Sequence, residues 1–256
     1  MKLRIVGSGD AFNAAGRGHA CAWLEGLAPA PFMVDFGASA LMQLQAQGLD
    51  HGDLSGLALT HLHGDHIGGL PFLWIDWLYR RPRSAPFAIL GPPGVEERVR
   101  TLVAAVYGDV ADEALPFELH WTEIAPGESR EWLGLEVRAW NSEHQDPPEV
   151  ALGFSITAGQ RRVVFSGDAI LNDALLESLQ GAHLALVECT ALEPPAGRHC
   201  TWSEWRPRLG DLSVGSLVLT HLGEGMREHL DDLRASVPER PRVVFAEDGD
   251  EIDIVD

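Results

Sequence analysis

A chain of 256 residues, 45% hydrophobic and 22% charged, has the material for one large core, and a single domain over residues 1–256 is expected. Its formal net charge of −19 disfavours a broad nucleic-acid-binding face, because phosphate contacts need clustered Lys and Arg. No apolar run approaches a membrane span, MKLRIVGSGD enters a strand pattern without a signal-peptide core, and Cys21, Cys189 and Cys200 form no C-x-x-C pair, so a reduced, cytoplasmic protein is expected.

Residues 3–6 read as a strand that runs into the turn-rich segment Gly7-Ser8-Gly9-Asp10, continued through Gly16-Arg17-Gly18. That loop offers backbone amides and Arg17 to an anionic substrate, or is simply a tight turn. Strands follow at 19–24 and 32–36, then a helix over 38–47 stopped by Gly48.

The next strand, 57–60, ends in His61, His63, Asp65 and His66, followed by Gly68-Gly69. His61 and His63 alternate by two, so both imidazoles can leave one side of an extended segment. Gly64 allows a sharp turn that aims Asp65 and His66 back at the same cavity. One ion accommodates four side chains from so short a segment poorly, whereas two neighbouring ions can share them, and the spacing therefore points to a binuclear metal site.

Residues 71–81 have helical spacing with basic residues at the end, 87–90 is a strand, and Val95–Tyr107 repeats the helical pattern. A β-rich stretch follows at 117–124, 135–140, 152–157 and 163–165, with Ala158-Gly159-Gln160 as a hairpin turn. The remaining expected elements are a helix over 172–179, strands at 184–187 and 216–220, a helix over 227–235 and a strand at 243–246. This alternation describes a layered α/β domain.

If metals sit at strand ends, other strands should end in His or Asp. The 135–140 strand leads to His144, the 163–165 strand to Asp168, and the 216–220 strand to His221, where LVLTH echoes the LALTH that ends at His61. Five histidines and two aspartates suit two ions that share a water. His19, His51, His120, His183 and His229 lack such a setting and read as structural or solvent-facing, and Cys189 and Cys200 read as spectators.

The set His61-x-His63-x-Asp65-His66, His144, Ser-Gly-Asp168 and His221, running from GSGDAF to AEDGDE, resembles the metallo-β-lactamase superfamily. The resemblance implies a four-layer αββα sandwich with the site at one edge between two sheets. It also implies that His61, His63 and His144 hold one metal, that Asp65, His66 and His221 hold the other, and that Asp168 bridges them. Within the superfamily the chain looks most like the short relatives of ribonuclease Z and of the phosphonate-pathway phosphodiesterases. The interval from His144 to Asp168, where ribonuclease Z usually carries an RNA-gripping arm, has room only for a hairpin, which argues against transfer RNA processing.

The expected activity is hydrolysis of a small phosphodiester by a hydroxide bridging two divalent metals, zinc first, with manganese or iron as alternatives. Asp65 is the candidate to orient the attacking water or take its proton, and His199 to protonate the leaving group, with Glu188 orienting His199. Two divalent ions outweigh the two ligand carboxylates, so a small anionic substrate can enter although the surface is acidic; a membrane or nucleic-acid partner is not expected, and a homodimer is plausible. Hydrolysis of a carboxylic ester, thioester or lactone is the alternative on the same metal core. A metal-dependent binding or cofactor-maturation protein is the non-enzymatic one.

Overall fold

The computed structural model describes residues 1–254. The chain first lays down β1 (Lys2–Gly7), β2 (Cys21–Glu25), β3 (Phe32–Val34), β4 (Gly56–Ala58), β5 (Phe87–Gly91) and β6 (Leu119–Glu123), then β7 (Ser129–Trp132), β8 (Leu135–Asn141), β9 (Leu152–Ala158), β10 (Arg161–Phe165), β11 (Ala182–Glu188), β12 (Val214–Thr220) and β13 (Arg242–Phe245). The last strand, β14 (Glu251–Asp253), returns to pair with β1. Two seven-stranded sheets result, ordered β14-β1-β2-β3-β4-β5-β6 and β13-β12-β11-β10-β9-β8-β7.

Period-two alternation explains how they stack. Leu3 and Ile5 of β1, Phe32 and Val34 of β3, and Leu90 of β5 meet Phe154 and Ile156 of β9, Leu184 and Leu186 of β11, and Val218 of β12 in one core between the sheets. The alternate positions are apolar too, because helices cover both outer faces. Met33, Leu57 and Ile89 pack against α1 (Ala40–Ala46), α2 (Gly64–Ile67), α3 (Leu70–Ile75) and α4 (Val95–Tyr107). Val164, Ala185, Val187, Leu217 and Leu219 pack against α5 (Asp173–Leu179), α6 (Trp202–Trp205), α7 (Glu224–Glu228) and α8 (Leu230–Ala235). The helix α4 shows the local logic: Val95, Val99 and Val103 form a buried stripe while Arg98 and Arg100 face water. The four layers are those of the αββα sandwich. No helix among the described residues is long and apolar enough to cross a membrane.

Local differences from the sequence reading have physical causes. The helix expected over 71–81 is α3 followed by a π-type turn at Asp76–Arg80, in which Asp76 is buried against His51 at 2.9 Å. The helix expected over 227–235 breaks at His229, whose backbone leaves helical angles between α7 and α8. The edge strand β7 carries no apolar alternation, the edge strand β14 is only three residues long, and α6 is a single turn announced only by its capping box, Thr201 with Glu204. Trp74, Trp77, Trp202 and Trp205 are all core residues.

Candidate metal centre

Strand direction gathers the ligands. The strands β10, β11 and β12 are parallel, and β8 and β10 are each antiparallel to β9, so β8, β10 and β12 all finish at the same end of their sheet. His144, Asp168 and His221 follow those three ends, and His61, His63, Asp65 and His66 follow β4 in the facing sheet. A hydrogen bond from the Leu152 amide to the Thr60 carbonyl, 2.9 Å, ties the two sheets together beside the cluster.

The donor atoms fall into two groups, His61 with His63 and His144, and Asp65 with His66, Asp168 and His221, in each of which they lie within 4.8 Å of one another. In the first, His63 Nδ1 stands 3.1 Å from His61 Nε2 and 3.2 Å from His144 Nε2. In the second, Asp65 Oδ2 is 3.2 Å from His66 Nε2 and 3.5 Å from His221 Nε2. Asp168 spans both groups. Its Oδ1 lies 3.3 Å from His66 and 3.5 Å from His221, while its Oδ2 lies 3.9 Å from His61 and 3.8 Å from His144.

Hydrogen bonds at the back of each ring fix which nitrogen faces the centre. Thr60 Oγ1 donates to Asp35 and so accepts from His61 Nδ1, 3.1 Å away. Thr190 Oγ1 donates to Glu188 and so accepts from His221 Nδ1 at 2.9 Å. His66 Nδ1 donates to Asp35, and His144 Nδ1 to the Arg198 carbonyl at 3.0 Å. His63 is turned the other way, with Nε2 against the Gln145 amide at 3.0 Å and Nδ1 inward. Holding the outer nitrogen of each ring in this way is how proteins orient metal-binding imidazoles.

The charges of the cluster are tightly coupled. Burial opposes the Asp65 charge, but hydrogen bonds from His221 and His66 outweigh it and hold this carboxyl far below the usual range. Asp168, fully buried, is likewise held low by His221 and His66. Burial also opposes charge on His221, yet Asp168 and Asp65 push its pKa up to about 9, and His66 is raised by Asp168 and Asp35. His66 Nε2 lies between two carboxylate oxygens, 3.2 Å from Asp65 and 3.3 Å from Asp168. Converging imidazole nitrogens and two carboxylates fit a pair of divalent ions.

His199 sits at the rim, its Nδ1 2.9 Å from Glu188 Oε1 and 3.9 Å from Asp168 Oδ2, its ring stacked on His221. Burial disfavours its charge, but contact with Glu188 raises its pKa overall. Glu188 also accepts the Ala169 amide at 2.6 Å and so steadies the Asp168 loop.

Two buried residues outside the donor set lie close to it. Asp35, at the end of β3 with φ 61, accepts from the Thr60 amide, the Thr60 hydroxyl and His66; its position after a strand was the available signal. His19, read as structural or solvent-facing, is buried beside Asp65, with its amide donating to Ser39 Oγ at 2.7 Å. The β1–β2 loop is also less open to anions than its composition suggests. Asp248 already accepts the Ser8 and Gly18 amides, and Arg17 pairs with Glu247 at 2.9 Å. Cys189 and Cys200 are fully buried, and burial raises both thiol pKa values.

Comparison with known proteins places this geometry. Residues 1–236 match the family model described as anti-Pycsar protein Apyc1. Ribonuclease Z of Mycobacterium sp. (strain KMS) is 32% identical over 213 residues, 74% of this chain and 73% of the relative. The metallo-β-lactamase fold protein YhfI from Bacillus subtilis superposes with a TM-score of 0.78 at 20% identity over 98% of this chain and 99% of its own. The human short-form tRNase Z does so at 0.76 and 23% over the whole of both chains, and Zn(2+)-bound PqqB from Methylobacterium extorquens at 0.75 and 20% over 99% and 100%. With its two-sheet sandwich and a His/Asp cluster at one end, the chain belongs to the Apyc1 family of the metallo-β-lactamase fold and is a relative of ribonuclease Z.

Proposed function

We propose that this chain is a metal-dependent phosphodiesterase that opens the ring phosphate of a cyclic nucleotide. One observation carries the reading: the two oxygens of Asp168 face two separate donor groups, the arrangement a two-metal hydrolase needs. His61, His63 and His144 would hold one ion, Asp65, His66 and His221 the other, with Asp168 shared. This nitrogen and carboxylate set suits zinc first and manganese or iron next. When bound, such a pair supplies Lewis acidity that lowers the pKa of water from 15.7 toward about 7 and neutralises phosphoryl oxygens.

The remaining work falls to the chain itself. Asp65, ionised and held by His66 and His221, orients the attacking water and accepts its proton. His199, with Nδ1 committed to Glu188, keeps Nε2 for the departing oxygen, and contact with Glu188 favours its protonated form. Glu188 fixes the His199 ring and, through Thr190, the His221 ring.

Substrate size follows from what surrounds the site. The β9–β10 hairpin fills most of the interval between His144 and Asp168, and surface charge, screened over roughly 8 Å, repels a polyanion laid along the acidic surface far more than a small anion held at the centre. A nucleotide with a single phosphodiester meets these limits, and cyclic nucleotides are the substrates that the Apyc1 family degrades. The test is hydrolysis of 3′,5′-cyclic nucleoside monophosphates and of bis(p-nitrophenyl) phosphate by protein stripped of metal and reloaded with zinc or manganese, beside Asp65→Ala. Metal-restored turnover lost in the variant supports the reading. No turnover by protein carrying two bound ions overturns it.

A further inference from the structure

Phe12 is the most exposed of the large apolar side chains among the described residues, at 89%. Met42, Phe72 and Val106 are exposed on α1, α3 and α4, and Tyr79 on the turn after α3, all in the helical layer over one sheet. Phe12 stands apart, on the loop between β1 and β2.

That loop is rigid. The Asp10 carboxylate accepts the amides of Phe12 and Ala14, both at 3.1 Å, and Asn13 Nδ2 donates to the Arg17 carbonyl at 2.8 Å. Asp248 clamps both ends by accepting the Ser8 amide at 2.9 Å and the Gly18 amide at 2.7 Å. Asn13 and Ala15 hold φ of 56 and 52, left-handed angles that are unfavourable for residues with a Cβ and persist only where the surroundings impose them.

It also abuts the segment that follows His221. Gly9 forms a bridge to Leu222, and a Cβ on Gly223 would lie 3.3 Å from Asp10 Oδ2, immediately after His221.

A pinned loop that abuts the segment after His221 and holds an aromatic ring in water gains nothing for the fold from that ring. We infer that Phe12 is a specificity-determining residue whose ring stacks on the nucleobase of the substrate while the phosphodiester occupies the metal centre. The inference rests on the cyclic-nucleotide reading above. Stacking uses the face of the base and leaves its hydrogen-bonding edge unread, so purine and pyrimidine nucleotides should both be accepted, the larger purine face binding more tightly.

The test compares wild type, Phe12→Ala and Phe12→Trp on a cyclic nucleotide and on the same ribose 3′,5′-cyclic phosphate without a base. Phe12→Ala should raise KM for the nucleotide about tenfold, with kcat nearly unchanged, and leave KM for the baseless substrate unaltered, while Phe12→Trp restores the nucleotide KM. Calorimetric binding of the product nucleoside monophosphate should weaken by a similar factor in Phe12→Ala. Equal changes on both substrates, an unchanged nucleotide KM, or a loss of a dimer by light scattering that accompanies the KM change would overturn the assignment. If wild type turns over neither substrate, the phosphodiesterase reading itself fails and takes this one with it; wild-type turnover with an indifferent Phe12→Ala sinks only the role of Phe12.

Discussion

Asp35 Oδ2 accepts a hydrogen bond from His66 Nδ1 at 2.9 Å, and the same carboxylate accepts the Thr60 amide and hydroxyl. One buried side chain at the end of β3 thus sets the ring that faces Asp65 and Asp168, and steadies the residue before His61. Asp35→Ala should therefore lower metal affinity about 10- to 100-fold, the usual cost of losing such a partner, without removing any ligand. Competition of the purified variant against a chromophoric zinc chelator measures it; unchanged affinity for both ions would show that Asp35 serves the fold alone.

Metal uptake should release protons. Asp168 and Asp65 push the His221 pKa up to about 9, and Asp168 and Asp35 raise that of His66 against the opposing effect of burial, so both rings favour the protonated form in the metal-free protein. A cation needs their neutral form, so affinity should rise with pH until about 9. Calorimetry in buffers of different ionisation enthalpy counts the protons, and a count of zero at pH 7 contradicts the charge balance drawn here. The sign for stability is the reverse. The raised pKa stabilises the metal-free fold fully below the ordinary value of 6.5, and this contribution is lost as pH rises through about 9.

His199→Ala should lower kcat about 100-fold or more on substrates with an alkoxide leaving group, the range expected for loss of a general acid. On nitrophenyl esters, whose leaving group departs without a proton, the loss should be small. Glu188→Gln should move the alkaline limb of the kcat profile to lower pH, because contact with Glu188 is what raises the His199 pKa. Equal losses on both substrate types would assign His199 to structure instead.

Gly167 shows how the backbone places the shared carboxylate. It holds φ +56, and a Cβ there would lie 2.8 Å from Thr60 Cβ and 2.9 Å from the Leu152 carbonyl. Gly167→Ala should cost about 1–3 kcal/mol in stability and weaken both metal sites by displacing Asp168. Thermal unfolding of the metal-free protein and zinc stoichiometry report the two effects separately.

Most of the chemistry was legible locally. The six-residue segment from His61 to His66 concentrates donors that a fold has little other reason to cluster, and the rule that ligands follow strands located His144, Asp168 and His221 without contact information. The LALTH and LVLTH echo marked two equivalent strand ends in facing sheets, but the likeness is only partial. Thr60 Oγ1 is bonded to Asp35, whereas Thr220 Oγ1 is buried with no hydrogen bond among the described residues. The polar edge strand β7 was missed because it buries only Trp132 and shows no period-two pattern, and the three-residue β14 because its alternation of Ile252 and Ile254 with acidic residues is too short to stand out.

The sequence by itself determined the donor set, the alternation of strands and helices and the acidic surface, because each of these lies in residue type and spacing within a few positions. Only the tertiary structure decided which nitrogen of each histidine faces inward, that Asp168 turns one oxygen to each donor group, and that Asp35 backs the centre through His66 and Thr60. Those facts depend on strand direction and on hydrogen bonds between residues far apart in sequence: Asp35 reaches His66 only because β3 and β4 run side by side, and His199 meets Glu188 only because the loop after β11 folds back on its own strand end.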